Sequence, residues 1–345
     1  MSTRTADAEK MKENDIRPQA LFERYLQLAQ RDAETHFADK SGFVTVACPA
    51  CGNDSSRPGL EKLGFHYVVC RACDSLYLSP RPDREALDHY YRTGEAVKFW
   101  SSHFFRETAE ARRVRMFRPR AEQIAGLARG QGTGQLADFV DVGSGFGIFL
   151  EEMARQNCFA KVTGIEPGPD LAETCRQRGF PILQKPVEAI AEDELQVDFA
   201  TAFEVIEHVF DPRDFLLAIR RILRPGGVVF FTTLTVSGFD IQELWEHSNS
   251  VHPPHHINLM SVQGFRQLVG RAGFVLQDLS TPGKLDVDIV RNAWQANPSI
   301  PRSRFADQLL RHTDPTVQQE LQDFLRRHRL SSHVQVVAVR SEQIF

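Results

Sequence analysis

Asp141-Val142-Gly143-Ser144-Gly145-Phe146-Gly147 ends a short apolar strand and opens a helix, and its three glycines decide how the rest of the chain is read. Without side chains at Gly143, Gly145 and Gly147, the backbone turns tightly and a ligand can lie against it at the positive end of the following helix. A loop of this kind suits a nucleoside. The spacing is G-x-G-x-G, and the last position of a dinucleotide fingerprint G-x-G-x-x-G is Ile148, so a nicotinamide cofactor fits poorly. No Gly-Lys-Ser/Thr follows, which disfavours a phosphate-binding P-loop.

Outward from this loop, the pattern alternates strand and helix. Strands are expected at Phe139–Val142, Lys161–Ile165, Phe180–Leu183, Val197–Phe203 and Gly227–Thr233, with helices near Ile148–Gln156, Asp170–Arg178 and Pro212–Leu223. That order implies a parallel sheet covered by helices on both faces, with ligands bound beyond the carboxyl ends of the strands. Ser261–Ala272 reads as a further helix with Ser261 as N-cap, and Gly273–Ser280 and His333–Arg340 as two late strands around a mostly helical insertion. About twenty residues after the loop, the second strand ends in Gly164-Ile165-Glu166-Pro167. A carboxylate at Glu166 can accept both hydroxyls of a ribose; the alternative is an exposed strand-end carboxylate.

The fourth strand runs into Phe203-Glu204-Val205-Ile206-Glu207-His208-Val209, and the fifth follows Leu223-Arg224-Pro225-Gly226-Gly227. Taken in order, DVGSGFG, GIEPGPD, FEVIEHV and LRPGGVVFFTT resemble class I S-adenosylmethionine-dependent methyltransferases over residues 138–340. The nearest branch holds ubiquinone-pathway O-methyltransferases and sugar or natural-product methyltransferases. The resemblance implies an α/β fold with a Rossmann-like sheet of seven strands, the last antiparallel. It also implies that Gly143, Ser144, Gly145 and Gly147 surround the ribose and methionine portion of S-adenosylmethionine. Asp141 would face the amino group, Glu166 with Pro167 the ribose, residues 185–188 the adenine, and Phe203 and Glu204 the floor below the sulfonium.

A sulfonium methyl is already activated, so catalysis consists of aligning a nucleophile and removing its proton. That chemistry requires no metal, and no acidic cluster like that of magnesium-dependent catechol enzymes is visible. His208 follows the fourth strand and is a candidate base, with pocket-shaping as its alternative role. Three histidines fall in His252-Pro253-Pro254-His255-His256-Ile257-Asn258-Leu259. In related sugar and quinone methyltransferases a similar pair faces the acceptor, which makes His255 and His256 candidate catalytic, acceptor-binding residues. The alternatives are a metal site or a cap on the next helix. Trp245 and Glu246 are candidate lid residues; Tyr90, Tyr91 and Trp100 are read mainly as core.

The front of the chain carries different chemistry. Cys48-Pro49-Ala50-Cys51-Gly52 and Cys70-Arg71-Ala72-Cys73 are two knuckles 18 residues apart, a spacing suited to a four-thiolate zinc site. With all four positions filled by sulfur, the zinc would be structural, and metal supplies on the order of 10 kcal/mol of folding energy to such modules. Redox dithiols are the alternative. The arrangement resembles the zinc ribbon ahead of the methyltransferase domain in certain sugar-modifying methyltransferases. Cys158 and Cys175 are read as buried, inert thiols within helices.

The chain is thus divided into an N-terminal helix (1–40), a zinc ribbon (41–79), a helical connector walling the acceptor pocket (80–134) and the methyltransferase domain (135–345). A break is expected at Pro119, and a glycine-rich hinge at 130–134. At 345 residues, 42% hydrophobic and with a formal charge of −4, the composition is that of a soluble globular protein and disfavours bulk nucleic-acid binding. No leader or membrane span is read, so a cytoplasmic protein is expected, with homo-oligomerisation open. The expected function is methyl transfer to oxygen or carbon of a small polar acceptor such as a sugar, nucleotide sugar or glycan precursor. Alternatives are a quinone- or polyketide-like hydroxyl, or an RNA- or protein-binding role docked through the ribbon.

Overall fold

A computed structural model describes residues 12–130, 137–312 and 314–341; the expected hinge lies, beyond Gly130, outside these residues. Three short strands form the front module: β1 (Ser56–Lys62), β2 (Phe65–Cys70) and β3 (Leu76–Leu78). In β2, Phe65, Tyr67 and Val69 alternate inward and are buried, the period of two that a half-covered strand requires. The β-prone stretch Phe43–Val46 makes only one bridge, between Val44 and Arg81. Pro80 and Pro82 flank Arg81 and lack the N–H groups needed to extend that ladder.

The connector runs through Arg84–Thr93 and then almost unbroken from Glu95 to Gly130. Wide π-helical turns at Trp100–Phe104 and Arg113–Phe117 interrupt its α-helical ladder. The break expected at Pro119 is absent. Pro119 directly follows the second wide turn, where the hydrogen-bond register has already shifted, so its missing N–H is accommodated.

The remaining strands are β4 (Ala137–Val142), β5 (Phe159–Ile165), β6 (Ile182–Leu183), β7 (Val197–Phe203), β8 (Leu223–Leu234), β9 (Asn258–Leu259), β10 (Phe274–Ser280) and β11 (His333–Arg340). Seven of them form one sheet in the order β10-β11-β8-β7-β4-β5-β6. β4, β5, β6, β7 and β8 are parallel, and β11 runs antiparallel to both β8 and β10, as expected. Phe139, Val140, Phe199, Ala200, Val229 and Phe230 are buried, consistent with helices covering both faces. β6 is shorter than expected because Pro181 precedes it, whereas β8 starts earlier, bulging through Arg224–Gly227. Chain order reverses between β4 and β7, so the loop after β4 and the end of β7 meet at the switch point where ligands bind.

β9 does not join this sheet. It pairs with β3, Leu76 opposite Leu259 and Tyr77 opposite Asn258, completing a four-stranded sheet with the front module. The histidine segment is thereby fastened to the cysteine module. Ser261 caps the Val262–Arg271 helix through Gly264 N–H, as expected. Helices Asp286–Ala296, Arg304–His312 and Pro315–Arg327 form the late insertion. Cys175 is buried in a helix as expected, but Cys158 lies in the turn before β5 and is half-buried.

Candidate active site

On the donor side, Gly143, Gly145 and Gly147 all take positive φ, at 79°, 53° and 73°. Gly143 also needs the absence of a side chain: a Cβ there would lie 2.8 Å from Val205 Cγ2. Beside Gly145, by contrast, no atom lies within 4 Å of a Cβ position, so the loop is open where a ligand would rest. Gly143 and Ser144 N–H donate to Ile165 C=O at 2.8 and 3.1 Å, tying the loop to β5.

Glu166 turns back onto the loop. Its Oε2 accepts from Gly145 N–H at 2.9 Å and its Oε1 from Gly168 N–H at 2.8 Å. A carboxylate has roughly four acceptor positions, so two bonds leave capacity for ribose hydroxyls. Burial raises the carboxyl's pKa, and the two backbone N–H groups oppose that rise. Pro167 beside it is exposed. Asp141 is 3% exposed, accepts from Thr201 Oγ1 at 2.7 Å, and is pushed up to about 7 by burial. Cys175 Sγ contacts Gly145 C=O at 3.1 Å and backs the loop. These residues fit S-adenosylmethionine: an open backbone loop, an acid turned onto it from the end of β5 and a second buried acid at the end of β4.

At the end of β7, Phe203 packs edge-on to Phe149, with centroids 4.6 Å apart, under the Arg120 guanidinium at 4.9 Å. Glu204 adopts φ 54°, a costly conformation for a residue with a side chain. It is held there by Thr232 Oγ1 at 2.7 Å, His333 Nε2 at 2.9 Å and Arg120 at 3.6 Å. Burial opposes ionisation, yet His333 and Arg120 keep the carboxyl far below its ordinary range. The connector reaches the loop directly, Phe105 stacking on Phe146 at 4.9 Å.

Beyond the end of β7, where the acceptor is expected, His208 and His256 lie ring to ring, with centroids 5.0 Å apart. His208 Nδ1 donates to His255 C=O at 2.9 Å and lies 3.2 Å from the Tyr91 hydroxyl; His256 Nδ1 donates to Ser250 C=O at 2.7 Å. A carbonyl only accepts, so both rings carry hydrogen on Nδ1 and present a bare Nε2. Burial lowers both pKa values, which keeps the rings neutral near pH 7. Glu207, 1% exposed, completes a cluster in which one ligand atom from each of Glu207, His208 and His256 lies within 4.8 Å of the others.

His255 is placed differently. Only 5% exposed, it is packed against Tyr25, Tyr90 and His252, and its Nε2 meets the Tyr90 hydroxyl at 2.6 Å. The front module holds this wall from behind: Tyr67 Oη donates to His256 C=O at 2.8 Å, and Lys62 Nζ to Ser248 C=O at 2.6 Å. Arg81, 1% exposed, donates to Asn258 Oδ1 at 3.1 Å and Phe210 C=O at 3.0 Å. Tyr91, expected mainly as core, reaches His208, and Arg120, His333 and Tyr67 have no local sequence signal that marks them. Glu207, although inside FEVIEHV, was not singled out either.

Cys48, Cys51, Cys70 and Cys73 offer sulfurs that all lie within 4.8 Å of one another. Cys48–Cys73 and Cys51–Cys70 are 3.6 and 3.5 Å apart, close to the edge of a tetrahedron with bonds of about 2.3 Å to zinc. Ala72 N–H points at Cys70 Sγ, and Arg271 reaches from the methyltransferase side to Ala50 C=O at 2.8 Å. The donor set and spacing fit zinc.

A glycine loop and strand-end acid at the switch point of this seven-stranded sheet define a class I S-adenosylmethionine-dependent methyltransferase. Residues 101–279, just over half of the chain, match the family described as a methyltransferase domain, and the chain belongs to that family. Among curated proteins it is similar to the ubiquinone biosynthesis O-methyltransferase of Photorhabdus laumondii, 39% identical over 102 residues, which is 28% of this chain and 42% of that one. The enzyme of the same name from Klebsiella pneumoniae is 38% identical over 106 residues, 29% of this chain and 43% of the relative. The chain thus matches less than half the length of these relatives. Among solved structures, the plantazolicin methyltransferase BpumL in complex with SAH aligns at 14% identity and TM-score 0.49, covering 75% of this chain and 95% of that one. Among the described residues, no helix is long and apolar enough to cross a membrane.

Proposed function

We propose that this methyltransferase transfers the methyl group of S-adenosylmethionine to oxygen or carbon of a small, polyhydroxylated acceptor, a sugar, nucleotide sugar or glycan precursor. The observation that carries this reading is the acceptor wall, where Glu207, His208 and His256 cluster beside the end of β7. An apolar ring would gain little from such a surface; hydroxyl groups would pair with it.

In this reading, Gly143, Ser144, Gly145 and Gly147 cradle the donor, Glu166 takes the ribose, Asp141 the amino group, and Phe203 with Glu204 forms the floor. His208 or His256 receives the acceptor's proton at a bare Nε2. As oxygen or carbon forms its bond to the methyl carbon, the carbon–sulfur bond breaks and its electron pair returns to sulfur, leaving a neutral thioether. His255 braces the wall through Tyr90. Zinc on the four cysteines holds the ribbon, and the ribbon holds the histidine segment. Methylation of a quinone-like hydroxyl is the second reading, supported by the names of the sequence relatives.

The test is incubation of the full chain with S-adenosylmethionine and a panel of nucleotide sugars and catechols, read by mass spectrometry. A methylated nucleotide sugar is expected; methylation confined to catechols would favour the second reading and overturn the first.

A further inference from the structure

We propose that Glu207, His208 and His256 bind a divalent transition-metal ion on the acceptor side, separate from the four-cysteine site. This deepens the proposed function and rests on its placement of the acceptor. Three observations converge. One ligand atom from each residue already lies within 4.8 Å of the other two, so small side-chain movements bring all three to the roughly 2.0–2.2 Å that zinc requires.

The histidines are also oriented as metal ligands are. Each donates Nδ1–H to a backbone carbonyl, His208 to His255 and His256 to Ser250, which fixes the tautomer and aims a bare Nε2 away from that bond. Finally, Glu207 is buried and its Oε2 has no hydrogen-bond partner. Buried carboxylate oxygens are ordinarily satisfied, and a cation in the cluster would satisfy this one.

Two imidazoles and one carboxylate suit zinc, manganese or ferrous iron and leave coordination positions open. Those positions would take acceptor oxygens. Two adjacent oxygens would chelate, so the site would favour a vicinal diol or hydroxyketone over an isolated hydroxyl. With the ion bound, His208 and His256 act as its ligands in place of the base role described above, and the ion's charge eases loss of the acceptor's proton to solvent.

The test is a zinc count by equilibrium dialysis of the full chain and inductively coupled plasma mass spectrometry. Two ions per chain are expected for the natural sequence and one for His256→Ala and for Glu207→Gln. One ion in the natural chain, or two in both folded variants, would overturn the proposal. Circular dichroism checks folding; Glu207→Gln, which keeps the side chain's size, carries the test if His256→Ala does not fold. Calorimetry with S-adenosylhomocysteine reads the donor site separately. Loss of that binding in the natural chain would remove the methyltransferase reading without altering the zinc count.

Discussion

The donor side takes its main contacts from one stretch, Asp141 to Gly168, whereas the acceptor side gathers Tyr67, Tyr91, His208 and His256 from four separate segments. On the donor side the strand, the turn and the acid are neighbours in β4 and β5, so local geometry nearly completes the cradle. The acceptor wall depends instead on β9 pairing with β3 and on long side chains crossing from the front module. A locally built site should survive damage elsewhere. A wall assembled at a distance should fail when its scaffold does.

The sharpest way to break this contrast is to remove the cysteine site proposed to hold zinc in the scaffold. In a Cys48→Ser, Cys51→Ser double variant the ribbon loses a contribution on the order of 10 kcal/mol. Turnover should fall below detection, while the affinity for S-adenosylhomocysteine stays within about threefold by calorimetry. Equal collapse of both quantities would mean that the two sides form one cooperative unit. Next in size is His208→Ala, which should lower kcat by about 10² to 10⁴ and leave donor affinity unchanged. Full activity in that variant would remove His208 from the chemistry.

The smallest effect on turnover is expected at Asp240, fully buried next to Asp286 with neither carboxylate oxygen hydrogen-bonded. Burial, and then the charge of Asp286, push its pKa up to about 8. The folded chain therefore keeps a proton there that the unfolded chain releases near pH 4. Stability should fall as pH rises from about 4 to about 8. Asp240→Asn should flatten this slope in thermal melts without changing turnover; an unaltered slope would show that the carboxyl titrates normally.

The same contrast explains what the sequence revealed. While the seven-stranded sheet was expected from the resemblance of four ordered motifs, the glycine loop, Glu166 at its strand end and the alternation of strands with helices were legible because each is written in local spacing. The four cysteines were legible for the same reason. β9 was not, since a two-residue ladder has no periodicity to read. Arg120 and His333 meet Glu204 from the connector and from the last strand, and nothing in their own surroundings marks them. Pro119 misled because a proline usually breaks a helix, and the wide turn that admits it has no simple sequence signature. His255 and His256 are adjacent in sequence, yet one braces the core and the other faces His208; only the path of the loop separates their roles.

The claim on which everything else depends is that the glycine loop and Glu166 hold the methyl donor. Isothermal calorimetry of S-adenosylmethionine with the natural chain and with Glu166→Ala tests it most directly. Hydrogen bonds to a charged group are worth about 1.5–3 kcal/mol, so binding should weaken by roughly 10- to 100-fold in the variant. Equal affinity in the two proteins would contradict the account.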